Sequence, residues 1–251
     1  GIFAYGYDGS SAVSMSNLVN SSGVIASDVT GVGTNGYGMG AATYGGDKAI
    51  FAFGQTGLVA VSKSNLVSSS GVVSADVTGV GTGRYSLAAA AYGTGTAIFA
   101  YGYAGGNVSM SNLVNSSGVV ASDVSGVGTA RRALGAAGYG TDKAIFAYGQ
   151  SGSGNINTRN LVNSSGVIAS DASGTGTARY GCAGATYGTD KAIVAYGYAG
   201  SANISLSNLI NNSGVVGSDV SGVGSARNTP AATEYGSTGQ ALFAYGYVSS
   251  V

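Results

Sequence analysis

One phrase, "AIFAYG" at residues 97–102, recurs along the whole chain. Six copies stand around Ile2, Ile50, Ile98, Ile145, Ile193 and Leu242, at spacings of 48, 48, 47, 48 and 49. A second phrase, "SNLV" at residues 111–114, has its Asn-Leu core at Asn17-Leu18, Asn65-Leu66, Asn112-Leu113, Asn160-Leu161 and Asn208-Leu209, which makes five copies. So regular a period constrains the fold more than length does. It predicts a single domain over residues 1–251, an array of equal units rather than two unlike halves.

One unit, read from Arg84, runs "RYSLAAAAYG", "TGTAIFAYGY", "AGGNVSMSNLV", "NSSGVVASDVSGVGTA". Glycine-bearing turns cut it into four runs of strand length, and none carries a capped helical pattern. "AIFAYG" is apolar on both faces, as in a strand covered from both sides. "NVSMSNL" alternates, with Val108 and Met110 on one face and Ser109 and Ser111 on the other. The first run is almost wholly Ala and Gly, small enough for sheets that converge on an axis.

Four-stranded sheets at this period describe the blades of a β-propeller. The inner run occurs five times, near Ala41, Ala89, Ala136, Ala183 and Ala232, while the second run occurs six times. The expected fold is therefore all-β, a five-bladed β-propeller of four-stranded antiparallel blades. Its closing blade takes the inner strand from the C-terminal part and the two outer strands from the N-terminal part, with residues 1–7 or 241–247 between them. The alternative is six blades, one of them incomplete.

The order "R…LAAAAYG…AIFAYGY…SMSNLV…GVVASDV…R" resembles the kelch repeat: an Arg leading into the inner strand, a second strand ending in Gly, then two outer strands. It departs from kelch in having Tyr-Gly-Tyr or Tyr-Gly-Gln for the Gly-Gly pair, and in having no tryptophan. The even copies, rich in Gly, Ser and Ala, are also similar to repeat-bearing structural proteins of tailed, especially marine, bacteriophages. These resemblances imply a propeller that binds partners, on a virion or otherwise extracellular.

One aspartate recurs in every unit: Asp28, Asp76, Asp123, Asp171 and Asp219. Eight residues later come Arg84, Arg131, Arg179 and Arg227, with Gly36 at that place in the first unit. A lone carboxylate is too few oxygens for a hard cation, so no metal is expected. These are read as structural residues, each Asp accepting turn amides or pairing with an Arg.

Histidine is absent, which removes His-dependent catalysis. Glu234, the one acid in an inner run, has no partner there for paired-carboxylate hydrolysis. The expectation is no enzyme and no cofactor. Net charge is zero, with 10 basic and 10 acidic residues, which argues against nucleic acid and anionic membranes. No apolar run is long enough to span a bilayer, and the sequence opens on repeat rather than on a signal peptide. Cys182, the single cysteine, stands where the other units have Met39, Leu87, Leu134 and Pro230, and reads as a small core residue.

The units differ mainly in two kinds of loop. Between second and third runs stand "DGSSA", "TGL", "AGGN", "SGSGN" and "AGSAN". Leading into the inner run stand "TNGYG", "TGRYS", "TARRA", "TARYG" and "SARNT". In a propeller both kinds emerge on one face. That face would carry Tyr7, Tyr103 and Tyr198 where second strands end and Tyr37, Tyr85 and Tyr180 where inner strands begin, with Arg132, Asn155 and Arg159 beside them. Tyrosine offers a ring for stacking and a hydroxyl for hydrogen bonding, so these nine are the candidate ligand contacts. The expected function is a phage virion or appendage module recognising host-surface glycan, a receptor or other virion proteins. The alternatives are a kelch-like protein scaffold, or a designed or reconstructed repeat without a selected ligand.

Overall fold

The computed structural model describes residues 1–248. It is all-β, with several small antiparallel sheets and no helix among the described residues. Four complete units each form a three-stranded sheet with the apolar "AIFA" strand in the middle. In one of them the inner strand Ala88–Tyr92 pairs with Thr96–Ala100, which pairs in turn with Ser111–Val114. Ile98 thus lies between Ala90 and Leu113, and Phe99 between Ala89 and Asn112. Ile98, Phe99, Ala100 and Tyr101 lose all exposure. At ~1.5–3 kcal/mol for each large apolar side chain removed from water, these middle strands carry most of the hydrophobic stabilisation.

The outer run forms no continuous fourth strand. It touches the third by isolated bridges, Val114 to Val120 and Ser111 to Val124. Between them, the Asn112 side-chain amide donates to the Ala121 carbonyl and to Asp123 Oδ1, both at 2.9 Å. A side chain replaces ladder bonds there, which is why run length and turn spacing overestimated the outer strand.

The Tyr-Gly-Tyr ending has a geometric cause. Tyr101 is left-handed at φ 65° and Gly102 follows at φ 109°. The bulge sends the Tyr101 ring inward and ends the ladder, leaving Tyr103 in the loop. A left-handed non-glycine costs ~1–2 kcal/mol. The ring offsets this by full burial and by donating its hydroxyl to the Val127 carbonyl at 3.2 Å. Tyr5, Phe53, Tyr148, Tyr196 and Tyr245 repeat the same conformation.

Consecutive sheets are tied at both ends of their inner strands. At one end the amides of Ser86, Ala133, Gly181 and Thr229 donate to the carbonyls of Gly38, Ser86, Ala133 and Gly181, at 2.7 to 2.8 Å. At the other, Gly45, Gly93, Gly140 and Gly188 donate to Gly95, Asp142, Asp190 and Gly239, at 2.7 to 2.9 Å. Aromatic pairs add a third tie: Tyr5 with Phe51, Phe53 with Phe99, Tyr101 with Phe146, Tyr196 with Phe243, and finally Tyr245 with Phe3.

The chain ends correct one expectation. Among the described residues no single sheet draws strands from both termini. Ile2–Tyr7 pairs with Ala12–Leu18, whereas Ala231–Tyr235 pairs with Gln240–Ala244, in two separate sheets. Each copy of the second strand is taken by its own hairpin partner, close in sequence and cheap to close, before a distant partner can compete. Both copies are used, and neither sheet is complete.

Candidate binding face

The recurring Asp and Arg residues form the frame beneath the loops. Arg84, Arg131 and Arg179 are fully buried, each with its guanidinium over a ring of the preceding unit: Phe53 at 4.1 Å, Tyr101 at 4.0 Å and Tyr148 at 3.9 Å. Arg131 donates to the carbonyls of Tyr148 and Thr129 and, at 2.7 Å, to Asn160 Oδ1. Burial pulls Arg84 down to about 10, which leaves it cationic at neutral pH.

Asp76, Asp123, Asp171 and Asp219 each accept from the loop that enters their own unit, whereas Asp28 takes only the Asn17 side-chain amide among the described residues. Asp123 takes the Thr82 amide at 2.9 Å and hydroxyl at 2.7 Å, and Arg84 Nη1 lies 3.9 Å away. Gly81 makes this approach work. At φ +83° it adopts a conformation L residues avoid, and a Cβ there would collide with Asp123 Oδ1 and Asn112 Nδ2. Burial pushes these carboxyls upward, but hydrogen bonds from Thr and Asn outweigh it and hold Asp76 at about 2 and Asp123, Asp171 and Asp219 below the usual range. The expected pairing with Arg is met at Asp123 and Asp219 within 4 Å. Asp28 and Arg227 do not share a sheet, and neither makes an ion pair among the described residues.

On this frame the six candidate tyrosines come together as three pairs. Tyr85 and Tyr103 lie with ring centroids 5.4 Å apart, Tyr180 and Tyr198 5.5 Å apart, and Tyr7 and Tyr37 5.7 Å apart. The first two pairs belong to one unit each, and reciprocal backbone bonds between the entering and leaving loops hold them together. The third spans two units. All six rings are half-buried or exposed, and among the described residues none of their hydroxyls takes part in a hydrogen bond. That sets them apart from Tyr5, Tyr101, Tyr148, Tyr196 and Tyr245, whose hydroxyls are all spent inward.

The other three candidates divide. Arg132 stacks on Tyr103 at 4.9 Å and donates twice to Gln150 Oε1, so it joins the face. Asn155 is spent on a carbonyl, donating to Tyr198 O at 3.1 Å across a unit boundary. Arg159 donates to the Ser173 carbonyl on the outer run and contacts none of the tyrosines.

Sequence reading missed the members that tie units together here. Asn107 donates to Gln150 O and Asn203 to Tyr247 O, as Asn155 does to Tyr198 O, each at 3.1 Å. Their signal is an asparagine at 107, 155 and 203, one period apart. Cys182 is buried and its thiol is pushed up by burial. Among the described residues no three His, Cys, Asp or Glu side chains gather into a group that could hold a metal. Comparison with known proteins finds no family model and no curated protein that matches this sequence.

Proposed function

We propose that the chain is a non-enzymatic binding module, a propeller-like ring of six sheet positions of which the first and last are incomplete. The reading of six rather than five positions is supported by the aromatic relay, which spans five of the six junctions between successive second strands, broken only where Val194 replaces the ring that would face Tyr148, and which returns from Tyr245 to Phe3. One end of the ring carries the ligand. The observation that carries this reading is the set of three tyrosine pairs, half-buried or exposed, whose hydroxyls stay unspent while those of the tyrosines at the second-strand bulges, Tyr5, Tyr101, Tyr148, Tyr196 and Tyr245, are hydrogen-bonded.

A sugar or glycan fits such a site, stacking a ring face and taking hydrogen bonds from the hydroxyl tips. Repetition around the ring makes weak sites sufficient, since linked sites gain ~10²–10⁴ in avidity. The low charge suits recognition that is insensitive to salt. A virion or other extracellular appendage contacting host-surface glycan, a receptor or a neighbouring virion protein is the setting we propose. A kelch-like protein scaffold is favoured by one feature, the unequal use of this position, where Tyr37 with Gln55, Arg132 with Gln150 and Asn228 with Tyr247 stand in place of the tyrosine pair.

The test is a glycan-array screen, with hits repeated on Tyr103→Ala and Tyr198→Ala. Binding weakened at least about fivefold by either change, at unchanged melting temperature, supports the glycan reading. A blank array from folded protein, or a hit indifferent to both changes, removes it.

A further inference from the structure

We infer, building on the glycan reading above, that the Arg132 corner of the tyrosine face is a subsite for an acidic sugar, whose ring carboxylate pairs with the guanidinium.

Five residues hold the same place where the chain enters an inner strand: Tyr37, Tyr85, Arg132, Tyr180 and Asn228. Only Arg132 is charged, and among the described residues it makes no ion pair. The loops that vary between units supply no acid to answer it. Asp8 is the one carboxylate in them, and it already accepts from Ser10 and Ser11. The frame carboxylates Asp123 and Asp171 are taken by Thr82 and Thr129.

What singles this cation out is how firmly it is held. The guanidinium carbon lies 4.9 Å from the centre of the Tyr103 ring, and Nε and Nη2 donate to Gln150 Oε1 at 3.2 and 2.9 Å. Gln150 is fixed in turn through its backbone, which pairs with Arg132 and accepts from the Asn107 side-chain amide at 3.1 Å. One edge of the guanidinium is thus tied and one face covered before a ligand arrives. Little side-chain freedom is left to lose on binding.

The groups left over suit an anion. A guanidinium carries five N–H groups. Gln150 takes one from Nε and one from Nη2, so both on Nη1 and one on Nη2 remain. Those two nitrogens form a fork that grips a carboxylate by parallel hydrogen bonds. With Oε1 turned to Arg132, the Gln150 amide presents Nε2 as a further donor, unpartnered among the described residues. Tyr85 and Tyr103, with ring centroids 5.4 Å apart, add two unspent hydroxyls. Arg132 Nη1, Gln150 Nε2 and both hydroxyls are open to solvent.

A uronic or sialic acid carries its carboxylate directly on the sugar ring. Paired with Arg132, such a ring brings its own hydroxyls to Tyr85 and Tyr103. The equivalent corner beside Tyr198 has Asn228, whose amide goes to Asn203 Oδ1 at 2.8 Å, and the one beside Tyr7 has Tyr37. Neither offers a cation, so the acid is selected at one place on the face.

The probe is an array of glycans ending in glucuronate, galacturonate or N-acetylneuraminate, each beside its methyl ester, together with sulfated galactose. It is read with the full chain and with Arg132→Gln. The expected result is that the parent binds acids at least about tenfold more tightly than their esters, the loss typical of a hydrogen bond to a charged group. Added salt should weaken the acids and leave the esters unchanged. Arg132→Gln, at unchanged melting temperature, should abolish the preference. Equal binding of acid and ester by the parent, a comparison that needs no variant, overturns the proposal. So does a preference that survives Arg132→Gln, or tighter binding of sulfated galactose than of any carboxylated glycan. Esters and acids bound alike through Tyr103 or Tyr198 leave the glycan reading standing and remove only the Arg132 subsite. A blank array from folded protein removes both.

Discussion

Lys63 Nζ lies 3.3 Å from Asp76 Oδ2, in the one complete unit whose arginine position is Gly36. Its counterparts Met15, Met110, Thr158 and Leu206 are uncharged, so the cation has moved from the entering loop to the third strand. The replacement does not reach Asn65 Oδ1, which stays buried without a partner, as Asn112 Oδ1 does beside Arg84, whereas Asn160 and Asn208 take Arg131 and Arg179. Lys63→Met should lower stability by about 1.5 kcal/mol, the size of a hydrogen bond to a charged group. Adding Gly36→Arg should restore most of it, and urea midpoints of the two variants decide the matter. If the double variant is no more stable than Lys63→Met alone, the two positions are not exchanging one role.

The adjacent arginines 131 and 132 should behave oppositely. Arg131 is fully buried, stacked and hydrogen-bonded, and Arg131→Met leaves Asn160 and three carbonyls unanswered. A loss of about 3–5 kcal/mol is expected, and Arg131→Lys should not rescue it because a point charge cannot reach the fork's partners. Arg132→Met, half exposed, should stay within about 0.5 kcal/mol of the parent. Thermal melts of the three proteins separate the residues, and equal losses at both positions would be inconsistent with this assignment.

Acid should weaken the fold in a defined window. Asp76 titrates at about 2 in the folded chain, and Asp123, Asp171 and Asp219 are also held low. The unfolded value is about 3.9. A lowered folded value means that the stabilisation is fully present above the unfolded pKa and is lost as pH falls through the folded one. Urea midpoints should therefore hold between pH 7 and about 5 and drop between about 4 and 2. A midpoint that is flat across the lower interval would show that these carboxylates do not brace the units.

Gly81→Ala should cost at least about 1–2 kcal/mol from the left-handed backbone alone, and more from the displaced Asp123. Gly106→Ala, where a Cβ meets nothing within 4 Å, should be close to neutral. Circular dichroism melts of both check the contrast.

The sequence period made the sheet order legible, since turn residues, apolar middle strands and small inner strands all point to the same unit. The recurrence of aspartate and arginine was visible in the sequence, but its eight-residue spacing does not give the partners, since Arg84 and Arg179 lie within 4 Å of Asp123 and Asp219, about one unit further on. What could not be read was which partner each terminal second strand takes. Residues 1–7 and 241–247 carry the same sequence pattern, so only the closeness of their hairpin partners distinguishes the outcomes. The tyrosine face was legible as residue types but not as pairs. Pairing depends on the left-handed turn at Tyr101 and its equivalents, and nothing in a Tyr-Gly-Tyr string fixes which ring points inward.

The most direct measurement is the set of cross-strand nuclear Overhauser contacts made by Ala232 and Ala4. The six-position account predicts Ala232 beside Phe243 and Ala4 beside Ser16, with no backbone contact between Ala232 and residues 2–4. Contacts joining Ala232 to Phe3 or Ala4, with residues 240–244 displaced, would mean a ring closed at five positions and would contradict it.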